Sequence, residues 1–324
     1  MKPFIRPGRQ RGVAVITALL LTALAITVVT SLFWQQQVQV RSMENQRLRL
    51  QTQWAMRGMV DFARFWLRQD NPSLTALDGV WATPIEEARL DDYVDREKVD
   101  TEKFDATVSG RALDAQARFN ITNLVAATGG INPKQVLAYQ RLLSNLRLDS
   151  GLAQATADAV LRAKPKLRAM DSGSDGKTPA AAPPSDGSSE PVAFTQIEDL
   201  LAVPGYTPQM IEQLRDFVII LPELTPVNVN TAPAAVLAAV TMMSLSEASA
   251  LTLSNPRKKF VDKSNFQNNI NAELIATVEV DVKSSYFLTV IRVRLDRAAL
   301  DAVALVNRKT DPQRTTSLVW LREN

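Results

Sequence analysis

The chain has 324 residues, with 37 Lys and Arg against 34 Asp and Glu, a formal net charge of +3, and neither cysteine nor histidine. That composition excludes disulfides, thiol nucleophiles, Ser-His-Asp triads and nearly every structural zinc site, which leaves only carboxylates, lysines and hydroxyls for any chemistry. Four of the cations, Lys2, Arg6, Arg9 and Arg11, fall within the first twelve residues, and removing them from +3 leaves −1, so the basic isoelectric point carries no nucleic-acid signal.

From Val13 to Trp34 no residue is charged. At about 1.5 Å per residue such a helix is roughly 33 Å long, which matches a bilayer core of about 30 Å. The cations ahead of it predict an amino terminus in the cytoplasm and a remainder across the membrane. A cleaved signal peptide is one alternative, because Ala23-Leu24-Ala25 has a small-x-small look, yet the apolar run continues to Trp34. A plain anchor in which Gly12 is incidental is another. Beyond the run, Ala55, Met59, Phe62 and Trp66 keep an apolar stripe at helical spacing, and nothing interrupts it before Asn71-Pro72. The spacing predicts one helix from about 13 to 70, half in lipid and half on a soluble domain. An anchor followed by a separate amphipathic helix is the alternative.

Asp78 to Pro84 leads into an acidic stretch expected to be irregular, and alternation through Phe104, Ala106 and Val108 predicts a hairpin or paired strands. Asn132-Pro133 predicts a helix start, and a second apolar-periodic segment runs from about Ser150 to Ala163. Residues 165–191 are rich in Pro, Ser, Gly, Ala and Asp, which predicts a flexible loop; Asp171, Asp175, Asp186 and Glu190 within it read as solvated rather than metal-binding. Thr195-Gln196-Ile197-Glu198 reads as a capping box. "IEDLLAVPGYTPQMIEQL" then reads as a helix-hairpin-helix unit, with "VNVNTAPAAVLAAVTMMSLSEASAL" as a weaker second copy.

Such hairpins raise an alternative of another class, a membrane-anchored DNA-binding or DNA-uptake protein gripping phosphate through backbone N–H groups. Two features oppose it. The turns read Gly205-Tyr206-Thr207 and Met243-Ser244-Leu245, short of the glycines required, and residues 195–275 carry five cations against eight acids. No acidic pair is marked out for catalysis, and the chain reads as a non-enzyme. The last fifty residues turn to strand pattern at Tyr286–Leu295, Ala299–Asn307 and Thr316–Glu323.

A short basic leader ending in glycine, followed by a hydrophobic helix that becomes amphipathic, resembles a type IV prepilin or pseudopilin. Together, "RQRGVAVITALLL", "WATP", "GRALDAQARFNITNL", "LLAVPGYTP" and "VNVNTAPAAVLAAV" resemble the type II secretion system protein K family of large minor pseudopilins. The resemblance implies an α+β fold of the type IV pilin kind, a long helix on an antiparallel sheet, with a large inserted α-helical domain. It divides the chain into a leader at 1–12, a transmembrane helix at 13–34, the pilin-like helix and first strands at 35–124, the inserted domain at 125–275 and the last strands at 276–324. It implies cleavage by prepilin peptidase between Gly12 and Val13, with N-methylation of Val13.

Most family members carry glutamate at the fifth mature position, where this chain has Thr17. In the family that carboxylate pairs with the neighbouring subunit above, so its absence points to the tip of a pseudopilus. The implied partners are the I, J and H types of minor pseudopilin, the major pseudopilin and the inner-membrane assembly platform, with no nucleic acid. The implied location is the inner membrane, with a periplasmic carboxy-terminal domain. Ala117 stands where a glycine is usual. An acidic stretch associated with calcium in some members is replaced by "AVLRAKPKLRAMD", whose Arg162, Lys164 and Lys166 are unsuited to the ion, so no cofactor is expected.

Overall fold

The computed structural model describes residues 11–89, 106–163, 192–241, 243–254, 257–270, 279–309 and 315–323. In chain order these form α1 (Arg11–Gln69), β1 (Ile85–Arg89), β2 (Ala106–Asp114), β3 (Phe119–Asn120), α2 (Pro133–Asn145), α3 (Leu152–Ala163), α4 (Pro208–Leu214) and β4 (Val218–Ile219). They continue as β5 (Val227–Asn228), α5 (Ala234–Thr241), α6 (Leu245–Leu253), α7 (Lys263–Asn269), β6 (Val280–Asp281), β7 (Tyr286–Leu295), β8 (Ala298–Arg308) and β9 (Thr316–Glu323).

The first helix is continuous because no proline interrupts residues 11–69 and its only interior glycine past the first turn is Gly58. One face of its second half, with Met56, Met59 and Val60, packs on Val108 of β2, Ile291 and Val293 of β7, and Ala302 and Ala304 of β8. The sheet is antiparallel in the order β1-β2-β7-β8-β9. Ile85–Arg89, expected to be irregular, is instead its edge strand, with a register shift between Ile85 and Ala88 and two exposed acids, Glu86 and Glu87. Charge and a bulge are the usual protection of a free edge.

Strands β2 and β7 are neighbours, yet the chain between them builds a separate helical body. Phe119, Ile121 and Leu124 are fully buried in the core of that body, as are Val280 and Val282 near its exit. The described residues of this core run from Phe119 to Val282. Two short parallel pairs, β3 with β4 and β5 with β6, tie its entrance and exit to its middle. Helix α2 starts where expected: the Asn132 side chain accepts from the Lys134 and Gln135 N–H groups, and Pro133 occupies the first turn. The capping residue near 195 differs from expectation. Asp199, not Glu198, accepts from the Thr195 and Gln196 N–H groups, while Glu198 faces Arg215 at 2.8 Å. The segment it caps, Ile197–Ala202, is a 3-10 turn rather than an α-helix.

Candidate functional site

The places where chemistry concentrates are the neck joining sheet to body, the hairpin turns, and the start of α1. At the neck, Asp114 ends β2 and is wholly enclosed. Its Oδ1 accepts from the Gln116 N–H at 2.8 Å, and its Oδ2 accepts from Ser284 Oγ at 2.6 Å, Thr231 Oγ1 at 2.6 Å and Asn228 Nδ2 at 2.8 Å. Burial still pushes this carboxyl above its ordinary value, against the opposing pull of those four donors. Nearby, Arg308 at the end of β8 is buried and donates to Asp70 at 3.1 Å, to Thr75 Oγ1 at 2.9 Å and to the Ser284 carbonyl at 3.0 Å. Its guanidinium lies 4.6 Å from the Phe287 ring centroid. Thr75 Oγ1 in turn accepts from the Ser284 N–H, so one network joins the end of α1, β2, β7, β8 and the helical body.

This assigns a place to the "VNVNTAP" motif. Asn228 donates from Nδ2 to the Thr75 carbonyl, Asp114 and Ser284, while Asn230 bonds the Phe260 backbone through both its amide oxygen and nitrogen. All three polar residues, Asn228, Asn230 and Thr231, are buried. Asn228 and Thr231 thus hold the body to the sheet through Asp114, while Asn230 ties two parts of the body together. The sequence singled out the motif without showing this, because Asp114, Ser284 and Arg308 are remote from it along the chain.

The hairpin turns use their polar groups within the chain as well. Gly205 adopts φ +104° and a Cβ there would lie 2.7 Å from Leu152 Cδ2, so glycine is needed for both conformation and space. Tyr206 next to it is buried, sharing hydrogen bonds with Tyr139 at 2.7 Å and Thr156 at 2.9 Å. At the second turn the Ser244 N–H donates to Glu247 Oε2 at 2.9 Å. A carboxylate thus occupies the position where a phosphate would have to bind, and the geometry disfavours a duplex grip.

Gly12 and Val13 lie in the first turn of α1, whose N–H groups have no partner within the helix, so the Gly12–Val13 bond is held by less than bonds further along. The Thr17 hydroxyl folds back on its own helix, donating toward the carbonyls of Val13 and Ala14, both at 3.0 Å. The structure brings Gly12, Val13 and Thr17 together along one helix and sets all three far from the neck. Residues Val13–Gln69 include a stretch long and apolar enough to cross a membrane, with none of that window buried against the rest of the chain. Asp171, Asp175, Asp186 and Glu190, with Lys164 and Lys166, lie outside the described residues. Among the described residues no three acidic side chains converge as a metal cage would require.

Comparison with known proteins agrees with this architecture. Two family models described as type II secretion system protein K match residues 117–223 and 227–285, together just over half of the chain. The chain is 26% identical over 316 residues to type II secretion system protein K of Pseudomonas aeruginosa, covering 93% of this chain and 90% of that one. Among solved structures it resembles a chain of the GspK-GspI-GspJ complex from enterotoxigenic Escherichia coli with a TM-score of 0.63 and 18% identity, covering 87% of this chain and 99% of that one. The fold is therefore pilin-like with an inserted helical body, and the chain belongs to the type II secretion system protein K family.

Proposed function

We propose that this chain is a minor pseudopilin that caps the pseudopilus and helps to initiate its assembly for export of folded proteins. The observation that carries the reading is the helical body, built out between neighbouring strands and locked to the sheet by the Asp114 and Arg308 network. A subunit bearing that bulk can complete a narrow fibre but leaves little room for a copy of itself in the next layer. Thr17 supports the same position. A glutamate there would need a partner in lipid, whereas a threonine hydroxyl is satisfied by its own helix.

On this reading prepilin peptidase cuts between Gly12 and Val13, the new amino terminus is N-methylated, and the helix from Val13 to Trp34 sits in the inner membrane with the rest of the chain in the periplasm. The partners are the I, J and H types of minor pseudopilin, the major pseudopilin and the assembly platform. The solved relative's complex with GspI and GspJ supports the first two. Intact-mass and amino-terminal analysis of the protein from cells with an active prepilin peptidase tests the processing step, with N-methylated Val13 expected. A chain starting at Ile26 would overturn it. Light scattering of the purified protein with its I and J counterparts tests the cap, with one copy of this chain per complex expected; regular homopolymers of this chain would defeat it.

A further inference from the structure

At the end of the sheet nearest the apolar run, the charge goes against the usual rule for a membrane span. From Gly12 to Val40 no residue is charged. At about 1.5 Å per residue that length of helix covers roughly 43 Å, which matches a bilayer of about 40–45 Å with its headgroups. Arg11 and Arg41 therefore stand at its two surfaces. Cations are expected on the cytoplasmic flank of a span and not on the other, yet the turns of α1 that follow carry Arg41, Arg47 and Arg49 against Glu44 alone. Arg41 and Arg49 are exposed, and no acid among the described residues pairs with either. The tip of the β7–β8 hairpin reaches the same level. Arg297 donates to Asn45 Oδ1 at 3.0 Å and lies 3.4 Å from Glu44, which pins the tip to α1. Beside that contact a groove of about 500 Å³ runs between α1 and the start of β8, lined by Leu48, Arg49 and Gln53 on the helix and by Arg297, Ala298 and Leu300 on the hairpin. Arg41 lies one helical turn nearer the membrane than Asn45, on the same stripe as Leu48 and the buried Thr52. Of the nearby acids, Glu44 is engaged by Arg297, Asp296 lies on the turn, and Glu323 closes the groove at the end away from the tip.

We propose that this groove is a seat for the headgroup of an anionic phospholipid in the outer leaflet of the membrane that α1 crosses, with Arg41 and Arg297 at its mouth and Arg49 within. The chemistry of the lining selects the occupant. A guanidinium meets phosphate oxygens with two parallel N–H donors, and the Asn45 and Gln53 amides suit the hydroxyls of a glycerol headgroup. Leu48, Ala298 and Leu300 give the groove an apolar wall, which a lipid covers with its first carbons and a free phosphate leaves bare. An arginine just outside the phosphate layer reaches into it with its long stem, and a tilt of about 20°, ordinary for a single span, brings the hairpin side of α1 down onto the surface. The bound headgroup thereby fixes the rotation of the sheet about α1 and the side on which the helical body stands. The proposal rests on the minor pseudopilin reading for its topology, with the chain beyond the span outside the cytoplasm, and adds to it a lipid contact and an orientation.

The test uses the full-length protein, which has no cysteine, so a single Ala299→Cys at the edge of the groove carries a unique fluorophore. The labelled protein is placed in phosphatidylcholine bilayers with increasing phosphatidylglycerol, and quenching by a trace lipid spin-labelled on its headgroup is measured; Leu253→Cys, exposed on α6, is the control. Quenching of the Ala299→Cys label is expected to rise and saturate with phosphatidylglycerol while that of the control stays unchanged. Arg41→Gln and Arg297→Gln should each raise the phosphatidylglycerol fraction at half-saturation about fivefold, the equivalent of one arginine at an anionic surface. Arg41→Gln, which breaks no contact among the described residues, should also leave the melting midpoint unchanged. Quenching indifferent to phosphatidylglycerol, or to both substitutions, would overturn the seat. So would an Arg41→Gln defect seen only as weaker association with the I and J counterparts in light scattering, which would give the face to a protein. Topology is read separately in cells, where a membrane-impermeant maleimide is expected to label Ala299→Cys from the periplasm. Labelling only after the inner membrane is opened would overturn the seat together with the pseudopilin reading, whereas periplasmic labelling with lipid-indifferent quenching would sink the seat alone.

Discussion

The helical body and the helix-and-sheet unit solve burial in opposite ways. The body encloses one large core, in which Phe119 stacks on Tyr139 at 5.3 Å and Phe260 meets Phe266 edge-on at 4.9 Å. The unit built on α1 leaves most of its longest element uncovered, with one narrow apolar seam to the sheet. Apolar surface removed from water contributes roughly 25 cal/mol per Å², so the body draws on a large internal core while much of α1 keeps its apolar side chains exposed within the chain. The two meet through an apolar patch, where Ile219 and Leu221 lie on Leu288 and Leu305, and through the buried polar network. A polar junction of this kind fixes orientation, because its buried donors meet their acceptors only in this arrangement.

Breaking the junction should have the largest effect. Arg308→Ala leaves Asp70 and Thr75 without their buried donor and is expected to cost about 3–5 kcal/mol, read as a lowered melting midpoint with body and sheet beginning to melt separately in calorimetry of the full chain. Perturbing the body alone should cost less and spare the junction. Tyr206→Phe removes the hydroxyl shared with Tyr139 and Thr156 and should lower stability by about 1–2 kcal/mol, with a single cooperative transition retained.

A pH series sharpens the comparison. Burial raises the Asp114 carboxyl above its unfolded value of about 3.9, so the folded chain binds this proton more tightly than the unfolded one. The resulting stability is complete below the unfolded value and is lost as pH rises through the folded value. The stability of the wild type relative to Asp114→Asn should therefore grow as pH is lowered toward 4, and a gap that narrows would contradict this. Smallest is the gain at the uncovered face: in the isolated chain Gly58→Ala should stabilise by about 0.5–1 kcal/mol, measured by thermal melting in detergent. The exposed Arg292–Asp301 pair on the sheet is the reference, and Arg292→Ala should leave the midpoint unchanged within error.

The elements legible in the sequence are those fixed by local pattern. Tyr286–Leu295 and Thr316–Glu323 were readable as strands to the residue, because alternation and turn residues bound them. The uninterrupted α1 was readable from an apolar stripe without proline. Ile85–Arg89 was missed because its acids face solvent at a sheet edge, where composition mimics a loop. The capping residue was misplaced by one position because Thr195 and Glu198 match the pattern that Asp199 satisfies in space. The neck was invisible for a different reason. Asp70, Asp114, Asn228, Ser284 and Arg308 are ordinary polar residues at scattered positions, and only the adjacency of β2 and β7 collects them. Gly12, Val13 and Thr17 are adjacent to a basic cluster and an apolar run that are both local in sequence, which is why they could be singled out without a structure.

The body leaves the sheet at the end of one strand and returns at the start of that strand's antiparallel neighbour, so its two attachment points are already side by side. The entropy of closing a loop grows only with the logarithm of its length, by about 0.6 kcal/mol per doubling. A chain that would otherwise turn a tight hairpin after Asp114 can thus accommodate an entire domain before Tyr286 without changing strand order or register. The size and surface of the body are therefore free to vary while the helix-and-sheet unit stays the same, and replacing residues 115–285 by a short turn is the corresponding route to that unit alone.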